Sequence, residues 1–111
     1  MESAELDFEK NELLRVIDEL SAILRSWGED RWADRLEQDR RLVSDEHPDG
    51  FRHLLNAFGG VDGLDGLEID AANGHSIAPE KVRPVNDRLR TLCGAVVAKA
   101  GDLQAGVRPD R

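Results

Sequence analysis

The sequence has 111 residues, of which 34% are charged and 40% hydrophobic, and its formal net charge is −8. This length and composition predict one domain with one hydrophobic core, and the acidic balance argues against nucleic acid because phosphate backbones need clustered cations. No apolar run approaches the roughly 20 residues of a membrane span, and residues 1–14 lack the basic start and apolar block of a secretory signal. We therefore expect a cytoplasmic protein, monomeric or homodimeric, that binds neither nucleic acid nor membranes.

The first half of the chain shows the apolar spacing of two amphipathic helices. Apolar residues recur every three or four positions over residues 6–27, which predicts a first helix that Gly28 ends. A second helix is predicted from an Asp30 N-cap to about Val43. Because so few residues separate them, the two helices are expected to pack as a hairpin. The only two tryptophans, Trp27 and Trp32 in this sequence, fall on the helical stripes and are predicted to be core anchors rather than ligand platforms.

Two further helices are predicted in the second half. A short third helix over residues 51–58 ends at a Gly-Gly pair, and a fourth spans about 79–100. Pro84 is tolerated only in a first turn, so we expect irregular backbone at 79–83. The single cysteine, Cys93, lies among apolar residues of this helix and is predicted to be a buried thiol. Gly101 is expected to end the helix, which leaves residues 1–101 as a single helical domain and 102–111 as a flexible tail.

The resulting fold class is all-α: a small bundle of four helices with a long Gly/Asp-rich loop between the third and the fourth. That loop covers residues 59–79 and contains all but the first residue of the segment FGGVDGLDGLEID, which is residues 58–70. Loops of this length are usually functional or carry local structure. Its four acids are the first candidate functional residues: Asp62, Asp65, Glu68 and Asp70.

We considered ligands for this loop and predict no cofactor and no metal. The acids are spaced three, three and two residues apart, whereas an EF-hand needs alternating ligands and a closing Glu. No Lys or Arg lies between Gly59 and Ala78, which disfavours a phosphate cradle. The three histidines lack a recognised zinc spacing. His75 follows the Asn73-Gly74 turn pair, and two interpretations stay open for it: a structural hydrogen-bonding group or a contact residue for a partner.

Enzymatic function is disfavoured by the residues present. None of the few serines lies in a nucleophile-elbow context, and no acid, base and orienting group can be identified together. The acids fall mostly on helical faces that are predicted to be solvated. No catalytic residue is therefore predicted.

Several segments resemble a family of small uncharacterised bacterial helical proteins. The segments that carry the resemblance are WADRL, LLNAFGGVDGLDGLEID, NGH and NDRLRTL, within residues 12–95. The family pattern is matched at Trp32, Ala33, Leu36, Phe58, Gly59, Gly60, Gly63, Leu64, Leu67, Asn86, Leu89 and Leu92. The sequence departs from it at Val61, where the family often has Met, and at Gly66, where it often has Asp. By its size and acidity the chain looks like an immunity or antitoxin-like protein.

The leading hypothesis is a non-enzymatic protein–protein interaction domain whose acidic surface neutralises a basic protein such as a toxin domain. The alternative is a metal-dependent or hydrolytic domain that uses the loop acids with His75. In the leading hypothesis the aliphatic side chains of the loop hold it against the bundle while its acids face water, and His75 adds a contact. Residues predicted to set the loop geometry are Gly59, Gly60, Gly63, Asn73 and Gly74, with the first two leaving the third helix at φ values that other residues resist.

Overall fold

Four α-helices account for most of the residues that the structure describes. The structure is a computed structural model that describes residues 2–59 and 63–107, with side chains described over 7–59 and 63–106. The helices are α1 (Glu2–Ser26), α2 (Asp30–Ser44), α3 (Gly50–Leu55) and α4 (Pro79–Val107). This all-α bundle confirms the predicted fold class. None of the described helices is both long enough and apolar enough to span a bilayer.

The predicted hairpin of α1 and α2 is present, with one change at its connection. Gly28 adopts φ +83°, the left-handed conformation expected of the residue that ends a helix. The N-cap position of α2 belongs to Glu29, so the prediction of Asp30 was wrong by one residue. The Glu29 carboxylate makes no capping bond because it binds a side chain of the long loop instead. A two-bond ion pair between Arg40 and Asp18, with Nε–Oδ1 at 2.7 Å, joins the two helices.

Both ends of α4 differ from the prediction. The helix is regular from Pro79 and contains Pro84 in its interior, so the expected irregular start is wrong. Both Pro84 and the residue four positions before it are exposed, so water can bind the carbonyl that proline leaves without an N–H partner. At the other end the helix continues through Gly101 because Leu103 buries all but 3% of its surface. Residues 108–111 of the predicted tail lie outside the described residues.

One continuous hydrophobic core joins the four helices and the long loop. Cys93 is 2% exposed, which confirms the predicted buried thiol, and burial raises the pKa of this thiol to about 11. α3 is shorter than predicted and is followed by turns that bring Phe58 into the core. The completely buried Leu, Ile and Val residues are Leu13, Ile17, Leu20, Leu24, Leu36, Leu54, Leu64, Ile69, Leu89 and Val96.

A charged cluster joins α2 to α3 on the buried side of α2. Asp39 is completely buried, and its Oδ1 lies 2.5 Å from Nδ1 of His53. Arg35 donates from Nε to Oδ2 of Asp39 at 3.2 Å and from Nη2 to the carbonyl of His53 at 2.9 Å. The buried carboxylate is thus bonded through both oxygens, as a buried charge requires.

Candidate functional site

The long loop forms an ordered strap, which we define as residues 63–78. Two short 3₁₀ helices interrupt it, Leu64–Gly66 and Ala71–Asn73. Leu64 and Ile69 are completely buried, and Leu67 packs partly buried against the core. The predicted anchoring of the loop by its aliphatic side chains is therefore present, and the backbone of the strap follows the surface of α4.

Arg90 of α4 binds the first half of the strap. Its guanidinium donates to three backbone carbonyls, those of Asp65 at 2.5 Å, Leu67 at 2.7 Å and Leu64 at 3.3 Å. These carbonyls lie in and just after the first 3₁₀ helix. A helix of three residues is too short to supply each of them with a backbone N–H partner. A fork of fixed planar donors suits such a cluster of acceptors.

Asn86 of α4 binds the middle of the strap. Its Oδ1 accepts from the backbone N–H of Ile69 at 2.8 Å, and its Nδ2 donates to the carbonyl of the same residue at 2.9 Å. The side-chain amide thus pairs with both backbone polar groups of Ile69, as the backbone of a neighbouring β-strand would. Nδ2 also donates to the carbonyl of Val82, one turn earlier on α4, at 2.7 Å. Because Ile69 is buried, these bonds satisfy backbone groups that water cannot reach.

Local bonds shape the second half of the strap. Oδ1 of Asp70 accepts from the N–H of Ala72 at 3.1 Å, and Nδ2 of Asn73 donates to the carbonyl of Glu68 at 3.1 Å. Gly74 adopts φ +91°, which favours glycine over residues with a Cβ. The turn predicted from the Asn73-Gly74 pair is therefore where the sequence placed it.

His75 closes the strap onto the connection between α1 and α2. Its Nε2 lies 2.7 Å from Oε2 of Glu29, and its Nδ1 lies 3.1 Å from the backbone nitrogen of Asp70. A carboxylate only accepts hydrogen bonds, so Nε2 carries a proton; in the neutral ring Nδ1 then accepts from Asp70. Only 6% of the His75 side chain is exposed. Of the two interpretations of His75, this geometry favours the structural hydrogen-bonding group.

The glycines at the start of the loop act differently from the prediction. Gly59 has no left-handed φ, and a Cβ there would meet nothing within 4 Å. Gly63 is the sterically required position, since a Cβ would lie 2.4 Å from the carbonyl oxygen of Gly59 and 2.9 Å from the carbonyl carbon of Phe58. Close approach of two backbone segments, rather than a left-handed φ, therefore explains the glycine. Gly60 lies outside the described residues.

The strap presents two exposed carboxylates. Asp65 and Glu68 both face solvent, and neither forms an ion pair with a side chain of residues 7–59 or 63–106. Asp70 is half-buried, and its side chain caps the second 3₁₀ helix by accepting from the N–H of Ala72. The fourth predicted acid, Asp62, lies outside the described residues. Of the residues predicted to bind a partner, Asp65 and Glu68 are therefore exposed, whereas Asp70 and His75 form bonds that hold the strap.

The histidines occupy three separate places. Nδ1 of His47 accepts from the N–H of Asp49 at 3.1 Å, while His53 pairs with Asp39 and His75 with Glu29. Across the described side chains, no group of three His, Cys, Asp or Glu residues lies close enough to hold a metal ion.

Three residues position the strap although the sequence did not predict that role for them: Glu29, Asn86, which was named only for the family resemblance, and Arg90. Each reaches a part of the chain 17 or more residues away, and no local spacing marks such a contact. No family model, curated protein or solved structure matches this chain. Its function is therefore inferred from the strap and its surroundings.

Proposed function

We propose that this chain is a non-enzymatic interaction domain that binds a basic protein through the acidic strap. The observation that carries the proposal is a pair of exposed carboxylates, Asp65 and Glu68, that have no ion-pair partner among the described side chains and lie on backbone that Arg90 and Asn86 hold in place. A surface loop that is already ordered loses little conformational freedom on binding, so more of its interaction energy remains as affinity.

The charges around the strap support a basic partner. Many acids elsewhere form ion pairs within the chain: Arg25 alone contacts three carboxylates of α2, and Arg40 pairs with Asp18. Asp65 and Glu68 lack such partners among the described side chains, although Arg90 binds the backbone of the same segment. Its guanidinium is occupied by backbone carbonyls instead. The strap therefore presents negative charge that steers and selects a positively charged partner.

A toxin is the partner class that we propose, with the chain as its immunity or antitoxin-like protein in the bacterial cytoplasm. The resemblance of the strap segment to a family of small uncharacterised bacterial proteins supports this choice, together with the size and acidity of the chain. The unpaired thiol of Cys93 is typical of a reducing compartment.

The experiment compares the proteins that are captured by the wild type, by a strap variant and by a control variant. The strap variant Asp65→Asn/Glu68→Gln removes the two exposed charges. The control variant Asp7→Asn/Glu9→Gln removes two charges from exposed positions on α1 that have no ion-pair partner among the described side chains. A protein bound by the wild type and the control, but not by the strap variant, is identified by mass spectrometry. Its association rate is then measured by stopped flow at low and high salt.

We expect the identified protein to be basic and to associate several-fold more slowly with the strap variant at low salt, with the difference shrinking as salt screens the charges. Co-expression should then show that the wild type suppresses the activity of this protein. Equal capture by all three forms contradicts the proposal, as does a strap-dependent partner with an acidic surface.

A further inference from the structure

A second candidate site lies at the start of α2, beside the end of the strap. Here an open cleft of about 490 Å³ is lined by Glu29, Arg31, Trp32 and Arg35. Its volume falls in the range of small-molecule pockets, roughly 300 to 1,000 Å³. The acidic strap residues do not line it, so what binds here is independent of the proposed function.

The cationic side of the cleft is available for a ligand. Arg31 is exposed and forms no ion pair with any described side chain, although the chain carries a net charge of −8. Arg35 is held by bonds from Nε and Nη2 to Asp39 and to the carbonyl of His53, and its Nη1 has no hydrogen-bond partner within the described part of the chain. The guanidinium of Arg31 can thus bind a ligand, and that of Arg35 is held in place with its Nη1 still able to donate a hydrogen bond.

The acidic side of the cleft is occupied. Oε2 of Glu29 binds the His75 ring at 2.7 Å, which ties this carboxylate to the strap. The remaining wall is Trp32, which the sequence predicted to be a core anchor but which is only half-buried while packing against the core. An indole next to two guanidinium groups provides an apolar aromatic contact and two planar donors in one place.

We propose that the cleft binds a small aromatic carboxylate. The carboxylate accepts from the guanidinium of Arg31, which can donate two parallel hydrogen bonds, and from Nη1 of Arg35. The aromatic ring of the ligand packs against the indole of Trp32. A monoanion is favoured over a dianionic phosphate because Glu29 and the net charge of the chain repel the second charge.

Nuclear magnetic resonance tests this directly because the chain contains two tryptophans and therefore two indole N–H signals. The Trp32→Phe variant assigns them. The ¹⁵N-labelled chain is titrated at constant ionic strength with benzoate and with two control compounds. Cyclohexanecarboxylate keeps the charge but has no aromatic ring, and benzyl alcohol keeps the aromatic ring but has no charge. Benzoate should shift the Trp32 signal saturably, with a Kd on the order of 1 mM for so small and open a contact, and leave Trp27 unshifted.

Two matched variants separate a specific site from general charge effects. Arg31→Gln should weaken benzoate binding about fivefold or more, whereas Arg41→Gln should leave it unchanged, since Arg41 is exposed on the same helix and has no ion pair with any described side chain. Arg31→Lys keeps the charge without the planar fork and should fall between them. The same spectra report whether each variant is folded.

Cyclohexanecarboxylate should bind about threefold more weakly than benzoate, and benzyl alcohol should not reach saturation. Three results overturn the proposal: a Trp32 signal that does not move saturably with benzoate, equal weakening by Arg31→Gln and Arg41→Gln, or a control compound that binds as well as benzoate.

Discussion

Asn86 and Arg90 lie one turn apart on α4 and bind the strap backbone on either side of Glu68. Asn86 pairs with both backbone polar groups of Ile69, and Arg90 donates to the carbonyl of Leu67 at 2.7 Å. The residue between these two attachment points has its backbone fixed while its carboxylate remains in solvent. α4 therefore determines where the exposed charge of the strap is held.

Replacing Asn86 should destabilise the protein far more than a neighbouring exposed substitution. Asn86→Ala removes two bonds to a buried residue and leaves the N–H of Ile69 without a partner, so we expect a loss of about 2–3 kcal/mol. Asp87→Ala, at an exposed position with no ion pair among the described side chains, should change stability by less than about 0.5 kcal/mol. Urea unfolding followed by circular dichroism measures both, and equal losses would show that the amide does not anchor the strap.

The helices could be predicted from the sequence because their apolar residues recur at helical spacing, and this local signal survives without knowledge of the tertiary structure. Their ends were less predictable. α4 passes through Gly101 because burial of Leu103 outweighs the unfavourable helix propensity of glycine, which is about 1 kcal/mol. Such burial depends on which element packs alongside, and the local pattern does not contain it.

The candidate site was predictable in part. The acids and the turn at Asn73-Gly74 could be identified because their chemistry is local. The bonds that hold the strap could not, since the Asn86–Ile69 contact spans 17 residues and the His75–Glu29 contact spans 46. Side-chain bonds to distant backbone have no periodic signature, so only the folded structure shows them.

Two glycine substitutions should change stability in opposite directions. A Cβ at Gly63 would lie within 3 Å of backbone atoms of Phe58 and Gly59, and backbone cannot move aside as a flexible side chain can. Gly63→Ala should therefore cost about 1–3 kcal/mol. Gly94 lies exposed within α4 with open space around it, so Gly94→Ala should stabilise the helix by about 0.5–1 kcal/mol. Thermal unfolding of both variants checks the prediction, and a neutral Gly63→Ala would disprove the close approach.

The buried thiol of Cys93 should make the stability of the protein depend on pH in the alkaline range. Burial raises the pKa of Cys93 from 9.0 to about 11, so above pH 9 the unfolded chain releases this proton more readily than the folded chain. The thiol then favours unfolding, and stability should fall by roughly 1 kcal/mol per pH unit between about pH 9 and pH 11 from this group. The chain has no tyrosine, which simplifies the alkaline range.

The Cys93→Ala variant isolates this contribution, because the lysines titrate in both proteins. Its free energy of unfolding should decline less steeply with pH than that of the wild type over the same range, whatever its stability at pH 7. Parallel slopes in the two proteins would mean that the thiol ionises as easily in the folded chain as in the unfolded one.

Removal of a buried hydroxyl in α1 should stabilise the protein. Ser21 is 5% exposed, and its Oγ has no hydrogen-bond partner among the described residues. Desolvating an unpaired hydroxyl costs about 1–3 kcal/mol, and alanine also has the higher helix propensity. Against this, Ser21→Ala leaves only a small gap where the oxygen was. We expect a gain of about 0.5–1.5 kcal/mol in urea unfolding, while Ser44→Ala, at an exposed position of α2, should change stability by less than about 0.5 kcal/mol. A loss of stability in Ser21→Ala would show that the hydroxyl has a partner in solution, such as the carbonyl one turn earlier in α1 or a buried water.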